Sequence, residues 1–144
     1  EIVDMTEESP TLTFNTIARH QSMMVNTRIA SNKSPWLYGC EVGDIHTVPI
    51  SHGEGRFVAP QSLIQRLANN GQIATQYVDI EGNPTMDIRY NPNTSIEAIE
   101  GITSPDGRVF GKMGHSERKG SYICKNVTGN KDQKIFESGV NYFK

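Results

Sequence analysis

Cysteine is scarce, with two in 144 residues, and no C-x-x-C, H-E-x-x-H or G-x-S-x-G can be found anywhere along the chain. The first absence argues against a disulfide-stapled scaffold or a zinc ribbon, the second against a zincin-type metalloprotease, the third against the serine elbow of an α/β-hydrolase. A run of about 20 apolar residues, the length of a membrane-spanning helix, is missing as well. The opening EIVDMTEESP does not have the charged-then-apolar build of a signal peptide. Charge of one sign is also lacking: 14 Lys and Arg stand against 16 Asp and Glu, for a net charge of −2. Without a basic stripe, the phosphates of a nucleic acid find no electrostatic footprint. These absences lead us to expect no nucleic-acid partner, no membrane contact, a soluble cytoplasmic protein, and Cys40 and Cys124 both reduced. The sequons at Asn93-Thr94-Ser95 and Asn126-Val127-Thr128 say nothing without a secretory route.

What is present is one modest core's worth of apolar residues, 35% of the chain, arranged in alternating periods. In MVNTRIA, Val25, Thr27 and Ile29 fall on one face of a half-buried strand. DIHTVPIS is a second β-rich run, and Pro49, lacking an N–H, restricts it to an edge, a bulge or a strand end. This puts SHGEGR in the loop beyond. Residues 60–71 read as a helix entered at Pro60, with Leu63, Ile64, Leu67 and Ala68 on one side and Gly71 as the stop. QIATQYVD is a further strand, EGNP a turn, TMDIRY extended, and SIEAIEGI and RVFGKM two strands joined by SPDG. DQKIFESGVNYFK closes the chain as an amphipathic helix interrupted by Gly139, with Ile135, Phe136, Val140 and Phe143 as its apolar residues. Mixed periods of this kind predict an α/β domain.

Within that frame His-x-Glu occurs twice, as His52-Gly53-Glu54 and His115-Ser116-Glu117, each where a strand runs out. In extended backbone residues i and i+2 share a face, so the carboxylate reaches an imidazole nitrogen, fixes the tautomer and leaves the other nitrogen free to accept a proton. That is the base and orienter of a triad; an exposed pair worth under about 1 kcal/mol is the alternative. His52, Glu54, His115 and Glu117 could also converge on a metal, although no recognised ligand spacing supports it and none is expected. Cytidine-deaminase chemistry needs P-C-x-x-C after its His-x-Glu, and that half is missing. No nucleophile completes a triad: Cys40 lies in G-C-x-x-G without a following helix, and Cys124, in SYICKN, reads as core.

Taken in order, PISHGEGRF, QYVDIEGNPT, YNPNTS, IEGITSPDGRVFGKMGHSER and NVTGNKDQKIFESGVNYFK resemble one family over nearly the whole chain. It is the glutaminase domain of phosphoribosylformylglycinamidine synthase, in its single-chain form. The resemblance implies the C-terminal portion of a class I glutamine amidotransferase fold, a flavodoxin-like three-layer α/β arrangement with a mixed sheet and flanking helices. It implies one partial domain over residues 1–144. His115 and Glu117 match the His and Glu of the family's H-P-E-R motif and would serve as catalytic base and orienter. His52, Gly53, Glu54 and Gly55 would line the glutamine pocket. The family nucleophile sits in a G-x-C-x-G elbow expected before residue 1, so these residues alone are expected to lack glutaminase activity. No cofactor is implied for this segment; ATP and magnesium belong to the synthetase domain, the implied partner along with glutamine.

Two departures stand out: Ser116 where the family carries proline, and Thr94 where N-P-N-G-S has glycine. A sheet without its first half would expose an apolar face and favour self-association. A non-catalytic docking module of the same fold, and less readily a His/Glu metal hydrolase, are the competing functions.

Overall fold

The computed structural model describes residues 5–144. In chain order the elements are β1 (Thr11–Thr13), β2 (Gln21–Ile29), β3 (Ile45–His52), β4 (Arg56–Val58), α1 (Gln61–Asn69), β5 (Ile73–Val78), β6 (Ile99–Thr103), β7 (Phe110–Lys112) and α2 (Ile135–Phe143). Five strands form one sheet in the order β3-β2-β5-β6-β7, while β1 and β4 pair beside it. The α/β class is as expected, and each strand pairing among the described residues is antiparallel.

β2 organises the sheet because its alternation is clean: Val25, Thr27 and Ile29 are buried and their neighbours Asn26 and Arg28 only partly so. It pairs with β3 along its length and with β5 over its second half. Pro49 sits opposite Met24 in β3, which is an edge strand as the missing N–H requires. The outer side of that edge is not bare. The Thr47 N–H donates to the Asn130 carbonyl at 2.6 Å, and the Pro49 carbonyl accepts from the His115 N–H at 2.8 Å. His115 lies three residues beyond β7, at the opposite end of the strand order, so the sheet is curled enough to bring its last strand's exit onto its first edge.

Three apolar clusters hold this together. Leu63, Ile64 and Leu67 of α1 pack with Phe57, Ile73 and Ile99. Val25, Val48, Ile50, Tyr77 and Ala98 form a second cluster, and Ile29, Leu37, Cys40 and Ala74 a third, against which Ile135 of α2 rests.

Several expectations shift in detail. Ala68 is exposed, so the buried stripe of α1 is narrower than its composition. SHGEGR is not a free loop: Ser51 and His52 end β3, and Arg56 begins β4. TMDIRY leaves extended geometry at Asp87, where the Tyr90 N–H closes a turn on the Asp87 carbonyl. In SIEAIEGI the first part is a 3-10 turn over Ile96–Ala98, with Glu97 and Ala98 at positive φ, and the strand starts at Ile99. Cys124 is half-buried, while Cys40 is the core thiol.

The largest revision concerns α2, which Gly139 does not interrupt. A Cβ there would stand 2.5 Å from Cζ3 of Trp36, so the glycine lets the helix lie directly on the indole. Ser138 Oγ accepts from the Gly39 N–H at 3.1 Å beside it. Contact through two small residues leaves Phe136 (65%), Val140 (54%) and Phe143 (56%) exposed, the opposite of the face their hydrophobicity predicts.

Candidate functional site

The second His-x-Glu closes on itself. His115 Nδ1 lies 2.8 Å from Glu117 Oε1, in a turn fastened by the Arg118 N–H on the His115 carbonyl, not in the extended backbone that the spacing predicts. Burial opposes ionisation of Glu117, but hydrogen bonds from its own backbone and from the His115 ring, with the nearby Arg118, together outweigh it and hold the carboxyl below its ordinary range. An ionised Glu117 can only accept, so the proton between them sits on Nδ1, and in the neutral ring this leaves the lone pair on Nε2. Nε2 makes no hydrogen bond to the described residues. The pair lines a cleft of about 450 Å³ whose walls include Trp36, Phe110, Lys112 and Phe136.

The first pair does not form. His52 ends β3 with its ring turned inward, where Nε2 comes 3.4 Å from Asn93 Nδ2 and Nδ1 is buried without a partner. Asn93 also donates to Tyr77 Oη at 3.1 Å, and its own Oδ1 is a second unpartnered buried atom. Gly55 faces this ring: a Cβ would stand 2.4 Å from both Nδ1 and Cε1 of His52. Glu54 points to solvent. The Gly53 carbonyl accepts from the Asn15 N–H at 3.0 Å. None of these four residues lines the cleft beside His115. Burial holds the His52 imidazole below its ordinary pKa, against a smaller opposing backbone hydrogen bond, and so favours its neutral form.

Sequence reasoning missed the polar residues beneath the site: Asn93 and Tyr77 behind His52, and the ion pair of Glu100 and Lys112 at 3.3 Å behind His115. The only signal for Glu100 is a carboxylate in the otherwise apolar run AIEGI. Among the described residues no group of three or more His, Cys, Asp or Glu stands together to hold a metal ion. Cys40 Sγ donates to the Gln133 carbonyl at 3.2 Å, and burial, with Asp44 adding, pushes its thiol up, away from nucleophilic character. Cys124 Sγ packs 4.0 Å from Met24 Sδ.

The chain belongs to the CobB/CobQ-like glutamine amidotransferase domain family, matched over residues 1–143. It is similar to phosphoribosylformylglycinamidine synthase subunit PurQ of Synechocystis sp., 38% identical over 105 residues covering 73% of this chain and 46% of that protein. PurQ of Methanosarcina acetivorans is 33% identical over 131 residues, 91% of this chain and 54% of the relative. Among solved structures, PurLQS from Thermotoga maritima superposes with a TM-score of 0.69 at 26% identity, over 94% of this chain and 54% of that one. The chain thus spans about half the length of the curated relatives it matches, and those relatives are named as separate subunits, where the sequence motifs pointed to the single-chain form.

Proposed function

We propose that residues 1–144 supply the base, its orienter and part of the substrate pocket of a glutaminase that feeds ammonia to the ATP-dependent conversion of formylglycinamide ribonucleotide to formylglycinamidine ribonucleotide. The observation that carries this reading is the 2.8 Å bond between His115 Nδ1 and Glu117, with Nε2 unbonded among the described residues and the pair lining a cleft. The names of the PurQ relatives and of the PurLQS neighbour support the pathway and a synthetase partner.

The chemistry follows from the pair. A cysteine thiol contributed from outside residues 1–144 gives its proton to His115 Nε2, and the thiolate attacks the side-chain amide carbon of glutamine. The imidazolium, stabilised through Nδ1–H by Glu117, returns the proton to the departing nitrogen, which leaves as ammonia, and a thioester remains. Water then attacks the thioester with His115 again taking the proton; glutamate leaves, and the thiol is restored. We assign His52, Gly53, Glu54 and Gly55 to the wall of the glutamine pocket on the β3–β4 side, outside the cleft beside His115, with His52 as an inward, neutral ring. ATP and magnesium act on the synthetase partner, and residues 1–144 alone do not hydrolyse glutamine. Studied alone, this stretch self-associates through the exposed residues of α2; a monomer mass in concentrated light scattering defeats that clause.

His115→Ala in the complete enzyme tests the reading. Glutamine-dependent synthesis should disappear while synthesis from added ammonium persists. Glutamine-dependent activity surviving the substitution overturns the assignment, and a non-catalytic docking role takes its place.

A further inference from the structure

A base that must meet a thiol in fixed geometry is flanked here by two permissive residues, Gly114 and Ser116. A side chain at Gly114 is excluded, because its Cβ would stand 2.6 Å from Val48 Cγ2, 2.9 Å from Glu100 Oε1 and 3.0 Å from Lys112 Nζ. Rigidity therefore has to come from elsewhere, and it comes from Lys112. Its nearly buried ammonium lies 3.3 Å from the fully buried Glu100 carboxylate. From there Nζ donates to the Gly114 carbonyl at 2.8 Å and to Ser116 Oγ at 3.0 Å, one contact on each side of His115. Glu100 works on the same turn: Oε1 accepts from the Gly114 N–H and Oε2 from the Thr75 hydroxyl. Ser116 Oγ in turn donates a hydrogen bond to Oε1 of Gln133, a fully buried side chain. A buried ion pair is expensive to desolvate and is not by itself a source of stability. What this pair accomplishes is to fasten both neighbours of one histidine to the sheet.

We propose that Lys112, held by Glu100, is the positioning residue for His115, fixing the turn so that Nε2 faces the cleft. The proposal rests on His115 being the base. In the complete enzyme, Lys112→Met should lower kcat for glutamine hydrolysis by about 10- to 100-fold, the scale of a misplacement of about 1 Å, with KM for glutamine nearly unchanged. The His115 Nδ1–H resonance should be sharp in the parent, where Glu117 holds the proton, and should broaden in the variant. Adding Ser116→Pro should restore most of kcat, since proline fixes φ and the Ser116 N–H has no partner among the described residues to lose. Methionine at 112 leaves the Glu100 carboxylate without its cation, so the double variant Glu100→Gln with Lys112→Met, which keeps an acceptor for the Gly114 N–H, is measured beside it and should show the same fall. Unchanged kcat in these variants overturns the proposal, as does a lost kcat with an undisturbed ring resonance. Failure of the base assignment looks different: His115→Ala then keeps its activity whatever the Lys112 variants do.

Discussion

The two His-x-Glu sequences are identical in spacing and opposite in outcome. At 115–117 the chain turns tightly enough for ring and carboxylate to meet, with the turn pinned to Pro49, Glu100 and Lys112. At 52–54 the histidine belongs to a strand and faces inward, while the glutamate stands in the glycine-flanked turn and faces water. Spacing sets whether two side chains can meet; the packing of the backbone between them sets whether they do. One histidine is thereby left with an open nitrogen and an ionised partner. The other is an inward, neutral wall.

The largest expected effect lies on the side proposed to be catalytic. Glu117→Gln should cut glutamine-dependent kcat in the complete enzyme by about 10- to 100-fold or more, because an amide neither fixes the tautomer nor stabilises the imidazolium; an unchanged kcat means that the pair is a surface contact only. On the other side, Gly55→Ala drives a methyl into the His52 ring and should destabilise the fold by about 1–3 kcal/mol, read as a lower urea midpoint. Equal midpoints would show that the ring is free to move. Thr94 holds φ +57 in the segment that carries Asn93 behind His52, a conformation unfavourable for a β-branched residue, so Thr94→Gly should stabilise by about 0.5–1 kcal/mol. A loss of stability there would assign the Thr94 hydroxyl a larger role than its contact with the Asn93 carbonyl.

Acid should distinguish the histidines as well. His52 has a folded pKa below its unfolded value of about 6.5. Its stabilising contribution is therefore complete above that value and is lost as pH falls from about 6.5 toward the folded pKa, where the unfolded chain binds the proton first. His46, also lowered by burial, acts in the same direction. His52→Gln should flatten the fall in urea midpoint between pH 7.5 and 5.5 without removing it; an unchanged slope would mean that His52 does not contribute. The smallest effect belongs to Glu54, whose substitution by Gln should change stability by less than about 0.5 kcal/mol.

These contrasts also mark what the sequence could and could not disclose. Strand β2, the restriction of Pro49 to an edge, bulge or strand end, helix α1 with its Gly71 stop and the His115–Glu117 contact were all legible, because each depends on neighbours within a few residues. Glu100 was not, since a carboxylate in a strand reads as a solvent-facing position until β6 is paired with β7 and Lys112 arrives beside it. The face of α2 was misread for a related reason: the amphipathic pattern assumed that the largest apolar residues pack inward, whereas the buried residues of the helix are Ser138, against the Gly39 N–H, and Gly139, against the Trp36 ring. The replacement of glycine by Thr94 showed its consequence only through a dihedral angle.

Because the His115 amide donates to the Pro49 carbonyl, fraying of the β3 edge and displacement of the imidazole are a single opening event. The protection of that one amide against deuterium therefore measures the fraction of time the turn is seated, and any partner that seals the edge of β3 slows its exchange and steadies the histidine together.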